Sequence, residues 1–173
     1  MMAMMEESKK QIDQRVRTLL DEAEMLLIGI GSALEKDEKN AEAVDEAYRT
    51  IASYVKGKTY FVLTGNTDGK LLDGTIFSML AAAPNLEGQE KAWQSYLNWL
   101  TCTLTHKLVI LELGEGFRQP QLMRWPFEQV VTYNKKAALV RVGRIFPQVP
   151  KEIAEQAISV PMDAFRFIQE FLK

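Results

Sequence analysis

Three short stretches hold residue types that could do chemistry. Gly29-Ile30-Gly31-Ser32 is a Gly-x-Gly-Ser turn at the end of an apolar run. Glycines in such a turn let backbone N–H groups approach a phosphate, and a serine hydroxyl adds a bond. Thr64-Gly65-Asn66-Thr67-Asp68-Gly69 follows the run Tyr60–Leu63 and offers an amide and a carboxylate framed by glycines. Gly114-Glu115-Gly116-Phe117-Arg118-Gln119-Pro120 follows Leu108–Leu113, and Arg118 is a candidate phosphate partner, since a guanidinium matches phosphate oxygens well. Each stretch also has a plainer reading. Asn, Asp and Gly are common turn residues, buried strands often end in glycine for packing, and a loop arginine can be a solvated cation.

The elements that must position these stretches follow from periodicity. Short apolar runs bounded by turn residues read as strands buried on both faces. They are Met25–Ile30, Tyr60–Leu63, Leu108–Leu113, Ala137–Val142 and the shorter Ala157–Val160. Between them lie helical stripes. Ile12, Val16, Leu19 and Leu20 mark a helix over about 6–22, and Val44, Ala47, Tyr48, Ile51 and Val55 mark Ala41–Val55. Trp93, Tyr96, Leu97, Leu100 and Leu104 mark a long helix from Gly88 to about His106. Gln121–Tyr133 reads as a helix that Pro126 should kink or shorten, and Asp163 caps a final helix with Phe165, Ile168, Phe171 and Leu172 inward. Leu34–Asn40 reads as exposed, and Leu71–Glu87 has no clear period.

Strands alternating with helices specify an α/β fold. The expected architecture is a single three-layer Rossmann-like domain over residues 1–173, with a mostly parallel sheet of five or six strands and helices on both faces. Right-handed crossovers then bring the three glycine-containing loops to one rim, where open parallel sheets bind ligands.

Composition narrows the partners. The chain has 173 residues, 47% apolar and 25% charged, with a net charge of -2. That supplies no basic field for a phosphate backbone, so nucleic acid is not expected as a partner. The single cysteine, Cys102, can form neither an internal disulfide nor a thiolate zinc cage, which sets a reducing, cytoplasmic compartment as the expectation. No apolar run reaches the length of a membrane span, and the Met-rich start lacks the form of a secretory signal.

The same stretches resemble the sirtuins, the NAD-dependent protein deacylases. Gly29-Ile30-Gly31-Ser32 is similar to the family's G-A-G-I-S cofactor loop, and Thr64-Gly65-Asn66-Thr67-Asp68-Gly69 to its T-Q-N-I-D-G motif. Leu113-Gly114-Glu115-Gly116-Phe117-Arg118-Gln119-Pro120 resembles the third glycine loop, L-G-V-G-F-N-T-P in a bacterial sirtuin-like branch, as do Arg124 and Pro126-Phe127-Glu128. The resemblance implies NAD or ADP-ribose as ligand. Gly29, Gly31 and Ser32 would border the phosphates. Thr64, Asn66 and Asp68 would meet the nicotinamide and its ribose. Gly114 and Gly116 would sit near the adenosine half, Phe117 and Arg118 of the same loop would also border the cofactor, and Gly143 would stand at the adenosine-side strand end where the family has Asn.

Departures from the pattern bear on activity. The family's catalytic His and four zinc cysteines lie between the second and third loops. Here that interval has only His106 and Cys102, too few ligands for structural zinc. Residues 71–106 read as a helical replacement for the small zinc domain, so no zinc, no other metal and no catalytic residue is assigned. The expected function is nucleotide binding without deacylation. The alternatives are a degenerate scaffold acting on a protein partner or a second copy through Trp93, Trp99 or Trp125, with Trp99 the best exposed candidate, and a low-activity NAD glycohydrolase or ADP-ribosyltransferase using Asp68, Asp73 or Glu115.

Overall fold

The computed structural model describes residues 1–173. Six strands form one sheet in the order β3-β2-β1-β4-β5-β6, and every neighbouring pair is parallel. They are β1 (Met25–Ile30), β2 (Tyr60–Thr64), β3 (Leu80–Ala82), β4 (Leu108–Leu113), β5 (Ala138–Val142) and β6 (Ala157–Val160). The helices are α1 (Met2–Glu22), α2 (Ala41–Val55), α3 (Gly69–Leu72), α4 (Glu90–Cys102), α5 (Arg124–Tyr133) and α6 (Ala164–Phe171). The order reverses at β1 and β4, which makes their carboxyl ends the topological switch point.

Alternation along the strands builds two cores. Leu26, Ile28 and Ile30 of β1 face a layer made by α1, α2 and α6, with Val16, Tyr48, Ile51, Phe167 and Ile168 buried there. Met25 and Leu27 face α4 and α5, against Tyr96, Phe127 and Val131. The sheet therefore has helices on both faces, as expected. No helix is long and apolar enough to cross a membrane.

Several local expectations change. β3 is a strand of three residues inside the stretch that showed no period. Leu34 is fully buried within a short 3-10 turn, Ser32–Leu34, where Tyr48 Oη donates to its carbonyl at 3.1 Å. On α4 the inward residues are Trp93, Tyr96, Trp99 and Leu100. Trp99 packs on Phe61 with ring centroids 5.7 Å apart, so it is not the exposed tryptophan. Trp125 is, at 51%. Leu97 and Leu104 point outward, because α4 ends at Cys102 and its apolar stripe is centred on Tyr96. Pro126 falls in the first turn of α5, where a backbone N–H has no helical partner to lose, so the helix starts late rather than kinking.

The sheet also contains charge. Glu112 of β4 and Arg141 of β5 are register partners, and their side chains are both 2% exposed and ion-paired. Arg141 Nη1 reaches Glu128 of α5 at 2.8 Å and the Gln148 carbonyl at 2.8 Å. Two buried charges tolerate desolvation only when their partners are well placed. At pH 7, Arg141→Met should therefore lower stability by about 3–5 kcal/mol, because it strands a buried carboxylate. The double variant Glu112→Leu with Arg141→Met should recover most of that loss in denaturant unfolding. A single variant within about 1 kcal/mol of the wild type would show that this pair does not hold the sheet.

Candidate functional site

The three glycine-containing loops do meet at the switch point, but they divide the rim unequally. A cavity of about 560 Å³ opens over the carboxyl ends of β4, β5 and β6. Its walls are the loop Gly114–Arg118, the loop Gly143–Phe146, Ser32–Ala33 and the start of α6 at Asp163–Ala164. On the other side of Glu115, beside Gly65 and Asn66, only about 10 Å³ remains. That is at most one water's space and excludes an aromatic ring.

The small compartment is tight because the loops bond to each other there. A Cβ on Gly31 would come within 2.4 Å of the Glu115 Cα and N, so the two backbones touch and only glycine fits. The Gly31 N–H donates to the Leu113 carbonyl at 2.9 Å, and the Ala33 N–H to the Gly114 carbonyl at 2.9 Å. Asn66 Nδ2 donates to the Gly31 carbonyl at 3.0 Å. Thr64 Oγ1 donates to the Ile30 carbonyl at 2.8 Å and accepts from the Asn66 N–H at 3.0 Å. Thr64, Gly31 and Asn66 therefore tie β1 and β2 together, and those N–H groups are already used. Gly29 lies inside β1, where a Cβ would meet Met123 and Phe127 at 2.8 Å, away from the rim opening.

Asp68 caps α3, with Oδ1 accepting from the Lys70 N–H at 3.1 Å. Its Oδ2 is buried with no partner. A buried carboxylate oxygen without a donor is costly, and Asp68 lines neither the large cavity nor the small compartment.

The large cavity is built differently. Gly114 has φ +69°, and a Cβ there would meet that of Ala33 at 2.5 Å. Gly114 N–H donates to the Val142 carbonyl and Gly143 N–H to that of Val160, which extends the ladder to the lip of the cavity. Gly116, Phe117, Arg118 and Gly143 all line it. Ser32 lines both spaces, and its hydroxyl donates to the Glu115 carbonyl at 3.4 Å. Arg118 forms an exposed ion pair with Glu35 that spans the first and third loops.

Arg124 supports the walls from beneath. It is 6% exposed and donates to the carbonyls of Gly116 at 3.3 Å, Phe146 at 2.7 Å and Gln148 at 3.1 Å. Its guanidinium also lies 4.3 Å from the centre of the Phe117 ring. Phe117 and Phe146 meet edge to face at 5.3 Å, each about half exposed. Phe146 holds φ 51°, a left-handed backbone that a large side chain adopts only when its surroundings enforce it.

Sequence reasoning did not place Ile145, Phe146 and Asp163 at the cavity. The turn chemistry of 143–150 gives no sign of which side chains face inward. Asp163 reads as a cap and is one, accepting from the Arg166 N–H at 3.2 Å. No group of three or more His, Cys, Asp and Glu side chains is arranged to hold a metal ion.

Glu115 stands between the two spaces and is 4% exposed. Burial pushes its carboxyl up to about 7; the Gln119 N–H pulls it back, Glu112 pushes it up again, and the Ser32 N–H and Arg118 pull it down more weakly. Above its ordinary value of 4.5, the unfolded chain has lost this proton while the folded chain keeps it. Stability at this group therefore falls as pH rises from 4.5 through about 7, and the full cost is present above that. Glu115→Gln should leave the melting temperature unchanged at pH 4.5 and raise it at pH 8, by about 1–3 kcal/mol in stability terms. Equal melting temperatures at pH 8 would remove Glu115 as a destabilising buried charge.

No family model and no curated protein matches the chain.

Proposed function

We propose that this protein is a sirtuin-like nucleotide-binding module that takes ADP-ribose or NAD and does not deacylate protein. The observation that carries the reading is where the larger cavity lies. It opens at the switch point of a doubly wound sheet with strand order β3-β2-β1-β4-β5-β6, where such sheets receive nucleotides. Its volume, about 560 Å³, suits a nucleotide-sized ligand. The Phe117–Phe146 pair offers an apolar wall for a base, and Arg118, in the cavity lining, a partner for phosphate.

The same geometry argues against deacylase chemistry. The space beside Asn66 is about 10 Å³, and the Asn66 amide already holds the Gly31 carbonyl. His106 precedes β4, at the opposite end of that strand from Gly114, too far away to serve as a base at the rim. The adenosine diphosphate part of the ligand is therefore the part the cavity serves.

The competing reading, an interaction scaffold, is favoured by the exposed apolar rim of Phe117, Ile145 and Phe146, because clustered exposed apolar groups mark partner surfaces. Calorimetry separates the two. ADP-ribose should bind, and Arg118→Ala should weaken it about tenfold by removing one charge-assisted contact. The ligand-free variant should melt as the wild type does, because its Glu35 pair is exposed. No heat with millimolar ADP-ribose or NAD would eliminate the nucleotide reading and leave the scaffold.

A further inference from the structure

We propose that anion binding at the switch-point cavity is coupled to proton uptake by Glu115, a built-in carboxylate that stands where the two glycine loops would otherwise meet a ligand's phosphates. The inference rests on the nucleotide reading above and names its regulation.

The geometry begins with the contact between loops. Gly31 packs against the Glu115 backbone, and Glu115, itself buried, lines both the large cavity and the closed compartment. The Gln119 and Ser32 N–H groups pull its carboxyl down, against the larger push upward from burial. No cation neutralises it. Arg118, the nearest, is drawn to Glu35 at the surface. Glu112 on β4 adds a second negative charge nearby but is committed to Arg141. Arg144 on the loop after β5 and Asp163 at the start of α6 line the same cavity and contribute opposite charges. Glu115 is thus a buried acid without an ion-pair partner, a state that favours the neutral form.

A pyrophosphate entering this cavity meets Glu115 in its lining. Like charges repel strongly where water is scarce. The ligand therefore favours protonated Glu115, and by linkage protonated Glu115 favours the ligand. The proton comes from solvent, and no covalent bond changes. The imidazole and the terminal amine lie elsewhere. The chain's only histidine, His106, precedes β4 and faces Glu24, and the terminal amine is on exposed Met1.

The probe is ADP-ribose, because each of its phosphates bridges two groups and has no second ionisation near neutrality. A terminal phosphate titrates near pH 6 and would mimic the effect. Titration calorimetry at pH 6 and pH 8, in two buffers of different ionisation enthalpy, reads both affinity and proton uptake. The wild type should bind roughly five- to tenfold more tightly at pH 6, taking up about half a proton near pH 7.5. Glu115→Gln should bind with equal affinity at both pH values and take up none.

Equal wild-type binding at both pH values, with no uptake, would overturn the inference while leaving the nucleotide reading intact. The same pH dependence in Glu115→Gln would overturn it as well, by assigning the proton to another group. Absence of binding at either pH, in both proteins, would overturn the nucleotide reading and this inference with it. Carbon-13 titration of the wild-type glutamate carboxyls needs no variant. A Glu115 carboxyl that titrates near neutrality and moves upward with ADP-ribose supports the coupling. A Glu115 carboxyl that titrates as an ordinary acid, or that ADP-ribose does not move, overturns it.

Discussion

A positive charge inside the sheet organises this protein. Arg141 sits on β5, one strand in from the sheet edge, with its side chain 2% exposed, and such a charge persists only when every direction around it is answered. Glu112 answers from β4 and Glu128 from α5. The carbonyls of Arg124 and Gln148 answer from the start of α5 and from the loop after β5. One guanidinium thus joins two strands, a helix and a loop. Arg124, on the first turn of α5, carries the constraint outward to the carbonyls of Gly116 and Phe146. The cavity walls are therefore braced from the core, and the left-handed Phe146 is part of that bracing rather than a loose loop residue.

The rim has two halves with different physics. On the β1–β2 side, backbone and side-chain donors are spent on other loops, and the glycines serve contact between chains of backbone. On the β4–β5–β6 side, the strand ladder ends and the side chains part to leave open volume. Glu115 is the wall between the two. A ligand that occupies only the open half asks no rearrangement of the closed one, which is why the proposed ligand is defined by its adenosine diphosphate part.

Much of the fold was legible because the strands are buried on both faces. Continuous apolar runs at Met25–Ile30 and Leu108–Leu113 can be little else in a chain with alternating helical stripes, and α2 buries the five residues its stripe names. β3 was not legible, since three residues carry no period and its pairing with β2 supplies what propensity does not. Trp99 was misplaced because a stripe centred on Leu97 and one centred on Tyr96 differ by one residue. The convergence of the loops was readable from topology, but the use of each glycine was not. A glycine needed for a phosphate and a glycine needed for a neighbouring backbone look the same, and Gly31 is of the second kind. Glu112 and Arg141 did leave a signal, single charges of opposite sign within two apolar strands, but only the register makes them a pair.

The central claim is that the open half of the rim is the ligand site. Amide chemical-shift mapping with ADP-ribose tests it most directly, because it reports position as well as binding. The account predicts the largest perturbations at Gly114–Arg118 and Gly143–Phe146, with much smaller ones at Thr64–Asn66. Perturbations centred on Thr64–Asn66, on another face of the sheet, or nowhere at saturating ligand would contradict it.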